Sequence, residues 1–213
     1  MSSRGAELPF PAIEASLKRA VAALRESDVP FLLAGSLAVW ARGGPETRHD
    51  LDLAIRPEDA DRALAVLERA GMRPEKPPEE WLHKAWDGEV LIDLIFAPRG
   101  LEVTDELIAR GELLHVLGIT IPVMAIEDVL ATKLLALHEH ELDYSSLVRI
   151  ARAVREQIDW AYLREQTDSS PYAPAFFTLC EQLEISPPAA PSNGAVVRVL
   201  NPRHTPFPFD RRG

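Results

Sequence analysis

Asp50 and Asp52 lie two residues apart within an apolar segment that ends at Ile55. Because successive side chains of an extended strand alternate between its two faces, both carboxylates point to the same face, roughly 7 Å apart along the chain. Leu51 and Leu53 then point to the opposite face, toward a core. The segment therefore predicts a strand with one buried face and one acidic face, and the two carboxylates make a hard-oxygen site suited to Mg²⁺.

A third aspartate, Asp93, lies in the middle of the apolar run of residues 90–96. Apolar neighbours on both sides are typical of a central strand that is buried on both faces. Because an unpaired charge is very costly in such a place, this carboxylate should be neutral or paired. A metal ion shared with Asp50 and Asp52 would meet that requirement, so all three aspartates are candidate metal ligands.

The step Gly35-Ser36 follows another apolar run, residues 29–34, that predicts a strand. A helix that begins at this step presents backbone N–H groups and a hydroxyl group to an anion. Such an arrangement suits the phosphates of a nucleotide. One feature of the chain would then hold phosphates and the other would hold the metal.

Each of these features also has an ordinary structural explanation. An Asp-x-Asp pair is often a solvated strand end or a turn, and a Gly-Ser step after an apolar run is weaker still as a signal. An aspartate in the middle of an apolar strand is harder to explain in that way. The three features in this order favour metal-dependent phosphoryl transfer.

Two basic residues are candidates for contact with the nucleotide. On a helical wheel, Lys133 lies in the middle of an apolar arc that also contains Val129 and Leu130. A lysine there must either extend to the edge of the arc or pair with an anion, such as a phosphate or one of the aspartates. Arg48 falls on the carboxylate face of its strand, where it would contact phosphate or pair with the acids.

The order of motifs resembles the nucleotidyltransferase superfamily that includes DNA polymerase β: Gly-Ser, a short spacer, Asp-x-Asp within apolar residues, and a later Asp on a neighbouring strand. Residues 46–54 are similar to a Thr-Arg-x-His-x-Asp-x-Asp segment of lincosamide and aminoglycoside adenylyltransferases. They are slightly shorter between Arg48 and the acids, so antibiotic specificity does not carry over. Lys133 and Asp143 are similar to residues of abortive-infection-type nucleotidyltransferase toxins, and the whole resemblance covers residues 29–155.

The resemblance implies an α/β (α+β) fold, with a polymerase-β-like mixed sheet and a C-terminal helical region. It implies transfer of a nucleoside monophosphate from an NTP to a hydroxyl group of a small molecule or protein, dependent on Mg²⁺ or Mn²⁺, with release of pyrophosphate. The catalytic and metal-binding residues are then Asp50, Asp52 and Asp93, and the nucleotide-binding residues are Gly35, Ser36, Arg48 and Lys133.

Two alternative functions stay open at this point. One is a toxin of the same chemistry that acts on tRNA, and the other is a non-catalytic nucleotide-binding or partner-binding module that keeps the fold. The presence of all three carboxylates argues against the non-catalytic module. The formal net charge of −10, from 33 acidic and 23 basic residues, predicts no general attraction to nucleic acid.

Size and composition agree with such an enzyme. A chain of 213 residues can bury a full hydrophobic core. Residues 1–10 have no apolar segment typical of export signals, and no stretch reaches the ~18 apolar residues that a membrane span needs, so we expect a cytoplasmic protein without a membrane partner. The single cysteine, Cys180, lies on an apolar helix arc and is predicted to be inert core.

Hydrophobic periodicity predicts the order of the elements. Strands are expected at residues 29–34, around Asp52, at 81–86 and 89–96 on either side of an Asp87-Gly88 turn, and at 113–116 and 119–124. Helices are expected at residues 11–27, after Ser36, from Pro57 to before Gly71, and at 126–140, 144–158, 160–166 and 171–183. We predict a nucleotidyltransferase core of residues 1–125, a helical region of residues 126–185 and a Pro-rich tail of residues 186–213.

Two groups of polar and aromatic side chains have simpler interpretations. Trp81, His83 and Trp86 on the hairpin would stack on an acceptor or a base, although such aromatics more often pack in a core. His138 and the nearby His140, Glu141 and Asp143 match no standard zinc site, so they are interpreted as a solvated helix end.

Overall fold

Residues 10–45 and 50–188 are described by the computed structural model, and they form a mixed seven-stranded sheet with helices packed on it. The strands are β1 (Leu32–Leu33), β2 (Leu51–Ala54), β3 (Arg73–Glu75), β4 (Leu82–Asp87), β5 (Val90–Ile95), β6 (Glu112–Val116) and β7 (Ile119–Val123). They lie in the order β3-β4-β5-β2-β1-β7-β6. The mixed-sheet α/β fold predicted from the sequence is confirmed.

Parallel pairing places the two predicted acidic strands side by side. The pairs β2–β5 and β1–β7 are parallel, and the other neighbouring strands are antiparallel. Both β2 and β5 lie inside the sheet, with a strand on each side. Leu51 and Leu53 are fully buried, and because side chains alternate along a strand, Asp52 between them lies on the opposite face. The alternation predicted for this segment is therefore present.

The helices of the described residues follow the predicted order, with short additions. They are α1 (Phe10–Glu26), α2 (Gly35–Ala41), α3 (Ala60–Arg69), α4 (Asp105–Ala109), α5 (Ile126–Leu135), α6 (Tyr144–Val154), α7 (Trp160–Gln166) and α8 (Ala173–Gln182), with 3₁₀ turns at Pro57–Asp59 and Arg155–Gln157. Asp159 caps α7, because its carboxylate accepts hydrogen bonds from the first N–H groups of this helix.

Helix α5 is fixed at its N-terminal end by buried polar contacts. The side chain of Asp128 is almost fully buried; it accepts hydrogen bonds from Arg110 Nε at 3.0 Å and from the Tyr162 hydroxyl at 3.3 Å. One residue earlier, Glu127 Oε1 accepts a hydrogen bond of 2.7 Å from the backbone N–H of Asp159. Charged groups so deeply buried are stable only with partners. These contacts hold α5 against α7 and the segment before β6, and thereby set the position of Lys133 further along the same helix.

A single hydrophobic core runs from Ile13 in α1 to Ile185 after α8. It includes the sheet, α5 and the helices that follow, so the division at residue 125 stays a prediction. Cys180 is fully buried, and burial raises the pKa of its thiol to about 11, as expected of an unreactive core cysteine. No helix of the described ranges is both long and apolar enough to cross a membrane.

The structure differs from the sequence prediction mainly at element ends. The strand expected at residues 29–34 is reduced to Leu32–Leu33, and the helix expected to reach residue 140 ends at Leu135. The turn of the hairpin is Gly88-Glu89 rather than Asp87-Gly88, because Asp87 pairs with Val90. The helix expected at residues 171–183 begins after Tyr172, whose N–H donates to Ser170 Oγ, and ends at Gln182. Strand β3 and helix α4 were not predicted.

Candidate active site

Two aspartates stand side by side at the middle of the sheet. Asp52 in β2 and Asp93 in β5 are register partners on neighbouring parallel strands. Partners in register project their side chains from the same face of a sheet. The structure therefore brings together the two carboxylates that the sequence predicted to share a site.

The third predicted acid, Asp50, lies just before β2 and is exposed. Its negative charge raises the pKa of both Asp52 and Asp93, which shows that all three carboxylates interact electrostatically. Within the described ranges, no group of three His, Cys, Asp or Glu side chains is arranged closely enough to hold a metal ion on its own. The acidic cluster consists of one close pair and one more distant, solvated partner.

The Asp52 carboxylate is enclosed by protein on most sides, while one edge faces a cleft. Its pKa is raised from 3.8 to about 7, because burial and the neighbouring negative charges of Asp93 and Asp50 outweigh the positive charge of Lys133 and the backbone N–H of Ser36, which lower it. The charged form of Asp52 is therefore only partly compensated by the groups around it.

Asp93 has a basic neighbour that the sequence analysis missed. Lys84 in β4 is the register partner of Asp93, and its Nζ lies 3.5 Å from Asp93 Oδ1. This contact is an ion pair, but it is too long for a well-formed hydrogen bond, and Asp93 Oδ1 has no hydrogen-bond donor among the described residues. Burial raises the pKa of Asp93 and the charge of Lys84 lowers it. The Asp93 carboxylate thus keeps an oxygen atom with unused acceptor capacity.

Gly35 is required by its contact with Asp52. A Cβ atom added at Gly35 would lie 1.7 Å from Asp52 Oδ2, and the residue has a positive φ of 59°. Residues other than glycine rarely adopt such a φ, and no side chain would fit against the Asp52 carboxylate. The next residue, Ser36, directs its backbone N–H to Asp52 from the first turn of α2. The Gly-Ser step therefore lies directly against the acidic pair, as the sequence predicted.

Lys133 lies on α5, where its predicted apolar neighbours Val129 and Leu130 are fully buried. Lys133 itself is half-buried, and its charge lowers the pKa of Asp52. Lys133 therefore favours the charged form of Asp52, although the two form no ion pair among the described residues, and its contact with a nucleotide stays a prediction. Arg48, the other predicted nucleotide contact, lies outside the described residues.

A cleft of about 740 Å³ opens beside Asp52. We call it the Trp81 cleft; the residues that define it are Gly35, Asp52, Trp81, Arg99, Lys133 and His138. Of the three hairpin aromatics, only Trp81 lines this cleft. His83 contacts Asp61 and packs on Phe96, and Trp86 donates to Glu75, so both have structural partners.

The residues around His138 were predicted to form a solvated helix end, and the structure largely agrees with this. His140 and Glu141 are exposed, and Asp143 caps α6 by accepting the N–H of Ser146. His138 Nε2 lies 3.6 Å from Glu141, and the ring faces the cleft wall. Arg99, in the loop after β5, was not predicted as a site residue, since no periodic pattern marks a residue in a loop.

A mixed sheet that carries adjacent aspartates on two parallel strands, with a Gly-Ser turn against them, defines a polymerase-β-like nucleotidyltransferase. The chain belongs to a family of uncharacterised nucleotidyltransferases, whose family model matches residues 12–182. The resemblance drawn from the motifs is thus confirmed. No curated protein matches the sequence.

Two solved structures of the antibiotic-resistance factor ANT(2″)-Ia share the fold. The solution structure of the antibiotic-resistance factor ANT(2″)-Ia is 16% identical, covers 83% of this chain and 99% of its own, and has a TM-score of 0.58. The crystal structure of ANT(2″)-Ia in complex with adenylyl-2″-tobramycin is 15% identical over 78% of this chain and 98% of its own, with a TM-score of 0.55. The crystal structure of lincomycin-bound LnuA is 14% identical, covers 64% of this chain and 95% of its own, and has a TM-score of 0.47.

The ion pair between Lys84 and Asp93 provides a stability test with a matched control. Lys84→Met should lower the free energy of unfolding at pH 8 by about 1–3 kcal/mol, because it leaves a largely buried carboxylate without its counter-charge. Lys76→Met removes a shorter ion pair, in which Lys76 Nζ lies 2.6 Å from Asp61 Oδ1 and the two side chains are 57% and 76% exposed. This variant should lower the free energy of unfolding by at most about 1 kcal/mol. Urea unfolding of both variants measures the difference.

The double variant Lys84→Met/Asp93→Asn should recover most of the lost stability, since no charge is then left unpaired. Equal losses for Lys84→Met and Lys76→Met, or no recovery in the double variant, would show that Lys84 does not compensate Asp93.

Proposed function

We propose that this protein transfers the nucleoside monophosphate of an NTP to a hydroxyl group of a small molecule or protein and releases pyrophosphate. The observation that carries the proposal is the register pair of Asp52 and Asp93, with Gly35 and Ser36 against it and Lys133 beside it. The fold is shared with ANT(2″)-Ia, which has been solved with a nucleotidylated small molecule, adenylyl-2″-tobramycin. That likeness supports a small-molecule acceptor.

The acidic residues fit a divalent cation. Asp93 Oδ1 has no hydrogen-bond donor among the described residues, and Asp52 is held next to a second negative charge. Hard cations such as Mg²⁺ or Mn²⁺ bind carboxylate oxygens of this kind. Asp50, Asp52 and Asp93, which do not form a closed site on their own, would hold the metal together with the bound nucleotide, and the metal would neutralise negative charge on the phosphates and on the leaving pyrophosphate.

The residues of the chain would bind the nucleotide and move one proton. Lys133 pairs with the phosphates as a point charge, and Gly35 and Ser36 lie against the β- and γ-phosphates. The acceptor oxygen attacks the α-phosphorus in line, forming a new P–O bond as the bond between the α-phosphorus and the bridging oxygen breaks. Asp93 takes the hydroxyl proton at its carboxylate.

The two alternative functions are less well supported. A tRNA substrate needs clustered basic residues to replace counterions, whereas this chain carries a net charge of −10. A non-catalytic module has no need for adjacent carboxylates, which are costly to keep side by side. We propose the cytoplasm, where NTPs are formed and used, as the place of action.

Nucleotide binding should depend on the metal, on Asp52 and on Lys133. Isothermal titration with an α,β-methylene NTP should show binding in Mg²⁺ that is lost in EDTA and strongly weakened by Asp52→Asn. Lys133→Met should weaken binding by about 1–3 kcal/mol, the scale of a lost charge-assisted hydrogen bond. At pH 5, where Asp52 keeps its proton, the variant should leave the melting temperature unchanged or raise it, because a half-buried lysine is replaced by an apolar side chain of similar length.

Lys76→Met serves as the control for loss of a positive charge, since Lys76 pairs with Asp61 away from the Trp81 cleft. Equal binding in EDTA would refute the metal assignment. Unchanged affinity together with lower stability would make Lys133 a structural residue.

Turnover should depend on Asp93 more strongly than nucleotide binding does. Asp93→Asn should lose most transfer of label from an α-³²P NTP, with affinity largely kept, because the hydroxyl proton then has no acceptor. Label would be followed separately into a small-molecule pool, cell-extract protein and total tRNA. Label in tRNA that Asp52→Asn abolishes would support the toxin alternative, and no label anywhere despite measured NTP binding would support the non-catalytic module.

A further inference from the structure

The ionisable side chains of the Trp81 cleft are unevenly charged. Among the described lining residues the acid is Asp52, and the permanently charged bases are Lys133, which acts on Asp52, and Arg99. The third basic residue, His138, lies 3.6 Å from the carboxylate of Glu141. Arg99 is exposed and makes no ion pair with the acids of the described ranges. Charge complementarity favours an anionic occupant.

The basic residues are spread along the cleft rather than gathered at the aspartates. Lys133 acts on Asp52 from within α5, while His138 follows it by more than one helical turn, beyond the end of the helix. Arg99 comes from the loop after β5, and this loop packs on α5 where Gly100 meets Leu135. Phosphates bound at Lys133 would leave Arg99 for a different anionic group.

The remaining surface of the cleft is largely apolar. Trp81 is 40% exposed, and Ile95 and Pro98 line the wall next to it. An exposed indole ring presents a flat face on which a planar group stacks. A volume of about 740 Å³ accommodates a small molecule. The net charge of −10 disfavours a long polyanion such as RNA, which would extend beyond the cleft.

We propose that the Trp81 cleft is the acceptor subsite, and that the acceptor is a small hydroxylated molecule with a planar apolar body and a carboxylate or phosphate group. Arg99 binds the anionic group, and Trp81 stacks on the planar body. A polycationic acceptor would be repelled by the same residues. This inference rests on the proposed nucleotidyl transfer, because the hydroxyl group must reach the α-phosphorus beside Asp52.

A matched series of three probes tests the charge preference. Para-(hydroxymethyl)benzoate, its amide and para-(hydroxymethyl)benzylamine share one ring and one hydroxyl group, and they are anionic, neutral and cationic. Their dissociation constants for the full chain would be measured by ligand-detected NMR, with and without Mg²⁺ and an α,β-methylene NTP. The benzoate should bind at least about tenfold more tightly than the amide, and the amine should bind most weakly.

Three variants separate the contributions. Arg99→Ala should remove the preference for the benzoate while leaving NTP affinity unchanged. Arg69→Ala is the matched control, because Arg69 is an exposed arginine at the end of α3 that does not line the cleft. It should keep the preference. Trp81→Ala should weaken all three probes by similar factors.

The outcomes distinguish this inference from the proposed function. Equal or undetectable binding of the three probes, or a preference for the amine, overturns the anionic-acceptor proposal even where NTP binds normally. An Arg99→Ala variant that loses NTP affinity but keeps the benzoate preference assigns Arg99 to the nucleotide and also overturns it. Absence of NTP binding contradicts the proposed function instead, and the titrations without NTP still decide the charge preference.

Discussion

The pairing of β2 with β5 puts Asp52 and Asp93 side by side, and the rest of the site follows from that constraint. Two negative charges on neighbouring strands repel each other, and burial raises the cost of ionising both. Gly35 approaches without a side chain, so that the N–H of Ser36 reaches Asp52. Each surrounding group therefore acts on the charge of this pair.

The compensation is supplied by elements far apart in the sequence, and it is incomplete. Lys84 reaches Asp93 because the β4–β5 hairpin places the two residues in register. The charge of Lys133 acts on Asp52 because the buried contacts of Asp128 hold α5 against its neighbours. Even so, Asp93 Oδ1 lacks a donor among the described residues. The site is stable but has too little positive charge to balance its carboxylates. A metal–nucleotide complex suits such a site, because the metal ion supplies the missing positive charge and Lys133 contacts the phosphates.

The sequence predicted the parts of the site that lie on regular strands and helices. Period-two alternation placed Asp52 opposite a buried face, and helical periodicity singled out Lys133. The position of Lys84 could also have been predicted from the sequence, because pairing of Asp87 with Val90 across the turn puts Lys84 opposite Asp93. It was missed because the turn was predicted one residue too early. Two elements are too short to show a period: strand β3, with Pro74 at its centre, and the five-residue helix α4. Arg99 lies in a loop, where tertiary contacts alone decide its position.

The central claim, that the aspartate pair is a cation site, is tested most directly by the effect of Mg²⁺ on unfolding at two pH values. The folded protein retains a proton on Asp52 up to about pH 7, which the unfolded chain loses near pH 4, so the free energy of unfolding should fall as the pH rises across this window. We expect Mg²⁺ to restore stability at pH 8, to have little effect at pH 5, and to have none in Asp52→Asn, whose stability should also vary less with pH. Equal stabilisation at both pH values, and in the variant, would contradict the account.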